Sequence, residues 1–227
     1  MSDALKKQAR EGAEALEAVA TLTWAVPLVF ALTYAVAWFF SLKNLLLITG
    51  HISAIFCATL LAEAAARMGD RQRLAGAAQL TQSLALICIL ALLYAFYPMI
   101  RMFLDSDEPF LAVIESKHPA GRLAVVMTLA YGLGAMALTA FARLLSQAAA
   151  EFDQKLSRLP ILIVGVFLLA GLASTLHAAF AAKEELRGLR HILFAGMMGL
   201  GLLVYLQLYP AIHRVAQCLR REAAQEA

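Results

Sequence analysis

Six stretches of this chain are each long enough to cross a lipid bilayer and contain no Asp, Glu, Lys or Arg: residues 21–40, 44–62, 80–100, 123–142, 159–182 and 192–212. The hydrocarbon core of a bilayer is about 30 Å thick, so a spanning helix needs about 20 apolar residues. A soluble helix of that length carries a polar stripe toward water, and none of these windows has a charged one. Lipid offers the backbone no hydrogen-bond partners, which leaves helices and closed barrels as the only spanning structures. Windows this long and this continuously apolar are helices, not barrel strands. The expected fold is therefore all-α: a polytopic membrane bundle of six transmembrane helices. Composition agrees, with 62% hydrophobic and 15% charged residues against about 45–50% and about 25% in soluble domains.

The stretch before the first window, residues 4–19, reads as an amphipathic helix with mixed charges, with Leu5, Ala9, Leu16 and Val19 loosely on one face. It is expected to lie on the membrane surface. This divides the chain into a surface helix (1–20), a transmembrane domain (21–216) and a short tail (217–227). Ala35-Val36-Ala37 looks like a signal-peptide cleavage site, but the apolar window starts only at Thr21 and continues through Trp38-Phe39-Phe40. A first membrane helix fits better than a cleaved leader.

Lys and Arg set orientation. With the N-terminus inside, twelve of the 19 basic residues fall on the inner side and seven on the outer, which predicts both termini inside. The compact, alanine- and leucine-rich character points to a bacterial inner membrane. Tyr97-Pro98-Met99-Ile100 closes the third window and Tyr209-Pro210-Ala211-Ile212 the sixth. That match suggests an inverted three-helix repeat of the kind many transporters carry. The same pattern also arises because Tyr and Pro favour helix ends at the interface.

Histidines are the most informative polar residues. His51 and His177 lie at similar depth, about 9–10 Å from the outer ends of the second and fifth helices. Two imidazoles at one depth on different helices can ligate a b-type haem from opposite sides. His191 and His118 fall near the same face, and imidazole with methionine also suits copper. The candidate cofactor-binding residues are thus His51 and His177, and the candidate metal set is His51, His177, His191 and His118. The alternative is that each simply hydrogen-bonds a neighbouring helix. The four-histidine pattern of six-helix b561-type cytochromes is absent, because the third and fourth windows contain no histidine.

A second set of polar residues, Glu63, Gln82, Tyr94, Tyr131 and Gln207, can mark a transport path or serve as interhelical hydrogen-bonding groups. Glu63 precedes Arg67 by four residues, the favourable order for a helical ion pair. Gly132, Gly134, Gly196, Gly199 and Gly201 read as positions of close helix approach. Cys57, Cys88 and Cys218 form no CxxC pair, which argues against a disulfide framework or a cysteine zinc site. No HExxH, phosphate loop or serine nucleophile elbow occurs. A net charge of +3 gives no basis for nucleic-acid binding. The leading expectation is a small transporter or channel. A haem- or copper-binding electron-transfer protein is the first alternative, and a non-catalytic subunit of a larger membrane complex the second. Expected partners are the lipid bilayer and either a second copy or other membrane subunits.

Overall fold

The computed structural model describes residues 3–40, 45–71, 73–105, 119–152, 156, 158–179 and 187–224. These form six long helices: α1 (Asp3–Phe40), α2 (Leu45–Gly69), α3 (Ala75–Asp105), α4 (Pro119–Ala150), α5 (Leu159–Ala179) and α6 (Arg187–Ala224). The fold is all-α. Among the described residues, three spans are long and apolar enough to cross a membrane: Ile48–Gly69, Ala75–Phe96 and Leu129–Ala150. They lie on α2, α3 and α4. Side chains in much of the remaining apolar windows, including residues 97–128, lie outside the described set, as do His118 and the loop around Phe110.

Each helix packs on the next, and α6 returns to α1, so the bundle closes into a ring. Inside the ring α4 also touches α2 and α6. A two-fold exchange of the two halves would give α1 matching contacts with α5 and α3. Among the described residues α1 makes neither.

α1 runs unbroken from Asp3 to Phe40, and α6 is equally long at 38 residues. At 1.5 Å per residue each extends about 57 Å, well beyond a bilayer's hydrocarbon thickness. The amphipathic stretch at the start of α1 packs inside the bundle: Ala9, Ala13 and Leu16 are fully buried. A Cβ on Gly12 would sit 3.6 Å from Leu219 in the last turns of α6. The physical reason is area. An amphipathic face can be covered by lipid or by protein, and here the neighbouring helices are long enough to cover it.

One apolar cluster fills this end of the bundle with residues from all six helices, among them Leu16, Met68, Ala78, Phe141, Ile163 and Ile212. Much of it is alanine, whose small side chain lets helices approach closely. α2 ends at Gly69, where an added Cβ would lie 3.2 Å from the Ala78 side chain. Glycine thus permits the tight α2–α3 hairpin.

Ion pairs surround this end. Arg67 reaches Glu11 of α1 at 3.0 Å and Glu63 of its own helix at 3.9 Å. The expected Glu63–Arg67 pair is present, with Glu11 the nearer partner. Arg220 pairs with Glu17. Arg71, in the α2–α3 turn, bonds Glu151 just past α4 at 3.0 Å and Glu222 on α6, with its guanidinium carbon 6.0 Å from the Phe152 ring centroid. Arg71 is only 17% exposed, so it counts for more than a solvated surface pair. Arg71→Met is expected to cost about 2 kcal/mol, because Glu151 and Glu222 then share a half-buried site with no cation. Thermal unfolding in detergent measures the loss, and added salt narrows the gap between variant and wild type.

Candidate functional site

Two polar side chains are fully buried among the described residues, His51 and Thr81. Thr81 is satisfied by its own helix, its hydroxyl donating to the Ala77 carbonyl at 2.8 Å. His51 is different. It lies on α2 six residues past Leu45 and about 27 Å along the helix from Gly69, far from the charged end.

Its surroundings come from α3 and α4. Cys88, Leu92 and Phe96 recur every four residues and so share a face of α3. Ala130 and Tyr131 come from α4. His51 Nε2 is 2.7 Å from the Leu92 carbonyl oxygen. A carbonyl can only accept, so Nε2 carries the proton and donates. In the neutral ring Nδ1 is then a bare acceptor. Nδ1 is buried and has no hydrogen-bond partner among the described residues. Phe96 stacks on the imidazole at 5.6 Å and 6° between planes, and Tyr131 meets it edge-on at 6.3 Å and 87°. Below the ring, the Cys88 thiol donates to the Ala130 carbonyl at 3.3 Å. A Cβ on Gly134 would approach Cys88 Sγ to 3.4 Å, so a small residue there supports the α3–α4 contact. Ala58, Cys88, Leu92 and Ala130 form a second, smaller apolar cluster around this site.

An unpaired buried acceptor costs about 1–3 kcal/mol, and buried polar groups are rarely left unsatisfied. Inside a membrane helix such a group is a functional candidate by default. Nδ1 can take a proton, the O–H or N–H of a ligand, or a metal ion.

The other sequence candidates fall elsewhere. His177 lies on α5 and His191 on α6, with side chains outside the described set; among the described residues α2 packs against α1, α3 and α4. Among the described residues no group of three His, Cys, Asp or Glu side chains is placed to hold a metal ion. The donor set shown for a metal or haem at this site is thus a single imidazole nitrogen. Glu63 is exposed beside Arg67 near the charged end, Gln82 is half-buried near the start of α3, and Gln207 is exposed on α6. Tyr94 faces outward at 72% exposure. Of the five, Tyr131 alone has a ring contact with His51 among the described residues. The sequence reading did not single out Phe96, Cys88 or the Leu92 carbonyl. The four-residue spacing on α3 was a usable signal for a shared face, but only packing shows that this face meets His51.

Comparison with known proteins gives no match: no family model, curated protein or solved structure is similar to the chain.

Proposed function

We propose that the chain is a small proton-coupled membrane transporter in which His51 is the side chain that exchanges the proton. The observation that carries this reading is a fully buried imidazole on a membrane-length helix with one ring nitrogen that has no hydrogen-bond partner among the described residues. In this reading six helices span a bacterial inner membrane with both termini inside. The apolar cluster at the charged end closes the inner side, and His51 is reached from the outer side. Protonation turns Nδ1 from an acceptor into a donor. Neutral and protonated sites then recognise different substrate groups, which couples proton and substrate binding reciprocally. Tyr131 and Phe96 hold the ring in place. Proteoliposomes loaded with a pH-sensitive dye test the idea, with a panel of small amino acids, carboxylates, amines and sugars added outside. A substrate that stimulates proton entry in wild type but not in His51→Gln is the expected result. Wild-type protein that moves neither protons nor any of these compounds overturns it.

One observation favours a second reading. Metal-binding imidazoles hold their other ring nitrogen on a carbonyl, as His51 does on Leu92. A b-type haem or copper electron-transfer protein would use Nδ1 as ligand, with His177, His191 or His118 completing the set. The transporter reading predicts a colourless, metal-free protein after gentle purification. A Soret band, or stoichiometric copper lost in His51→Phe, decides for the second reading instead.

A further inference from the structure

α4 packs between α3 and α5, and among the described residues those two helices do not touch each other. The gap leaves a groove of about 500 Å³ with α4 as its floor. Its walls are apolar: Leu80 and Leu84 on α3, Met136 on α4, and Val164 and Leu168 on α5. One charged residue lines it, Arg143. Arg143 is exposed and makes no ion pair or hydrogen bond among the described residues.

Position gives this cation its meaning. Arg143 lies seven residues from the end of α4, and Pro160 opens α5 at the same end of the groove. From Pro160 to Leu168 the groove runs about 12 Å, close to the hydrocarbon depth of one leaflet. The apolar channel therefore starts near the headgroup level and follows one leaflet inward, with a guanidinium at its mouth that has no partner among the described residues. An arginine of this kind prefers a phosphate to a zwitterion whose own ammonium competes for it.

We infer that the α3–α4–α5 groove binds one anionic phospholipid, its phosphate on Arg143 and an acyl chain between Leu84 and Val164. The site rests on the chain's membrane location and not on His51, so it is tested by separate variants and a separate readout. Native mass spectrometry of the full-length protein in mild detergent is the measurement, with equimolar dioleoyl phosphatidylglycerol and dioleoyl phosphatidylcholine. The expected result is a preference for the anionic lipid of about fivefold, removed by Arg143→Gln and kept by Arg10→Gln on α1. Val164→Trp, which fills the groove from an exposed position, should reduce binding of both lipids. Equal binding of the two lipids to wild type, or an undiminished preference in Arg143→Gln, overturns the inference. A dimer that dissociates on Val164→Trp with no lipid preference also overturns it, in favour of a second copy of the chain.

Discussion

Replacing His51 with phenylalanine is expected to abolish substrate-stimulated proton movement while leaving the ligand-free bundle as stable as wild type, or about 1 kcal/mol more stable. Phenylalanine keeps the planar ring that stacks on Phe96 and fills nearly the same space. It loses the Nε2–H bond to the Leu92 carbonyl, worth about 1 kcal/mol net. That carbonyl still accepts from its own helix, because it lies in the interior of α3. The variant also removes Nδ1, which has no partner among the described residues and whose burial then costs about 1–3 kcal/mol. A side chain that lowers the stability of the fold around it is the pattern expected of a working site. Thermal unfolding in detergent, set beside the dye assay, gives the answer. A variant destabilised by more than about 2 kcal/mol would make His51 an anchor between α2 and α3 rather than an exchange site.

Phe141→Ala is expected to destabilise the bundle by about 3–5 kcal/mol, roughly 10 °C or more in midpoint temperature. Phe141 is fully buried on α4 in the cluster that all six helices share. α4 touches α2, α3, α5 and α6, so a cavity there opens several interfaces at once. Lipid cannot refill it, because the ion pairs of Arg71 and Arg220 close the bundle around that end. Phe141→Leu, which keeps most of the volume, should lose less than half as much. If the alanine variant unfolds within a degree or two of wild type, the cluster is not what holds the helices together.

Much of the secondary structure was legible because lipid leaves the chain few choices. Charge-free windows of about 20 residues specify helices before any contact is considered, and each expected window lies on a helix of the structure or overlaps one. The Glu63–Arg67 pair was legible too, because helical spacing alone brings those groups together. Residues 4–19 show the limit. Their mixed charges and single apolar face suit a membrane surface and a protein surface equally. Burial against α6 depends on where α6 ends, which no local pattern in α1 encodes.

The candidate site divides along the same line. A histidine in an apolar window announces itself from composition, and His51 was marked on that ground. Its pairing with His177 rested on depth alone, and depth says nothing about which helices are neighbours. The tertiary structure decided that His51 meets α3 and α4, that the Leu92 carbonyl takes one ring nitrogen, and that the other has no partner among the described residues. The sequence by itself determined which segments are helical and which polar groups lie in apolar stretches, since periodicity and hydropathy are local properties. Which faces meet is set by side-chain volume matching between helices distant in the chain, such as Gly134 against Cys88 and Gly12 against Leu219. That information exists only once the helices are packed.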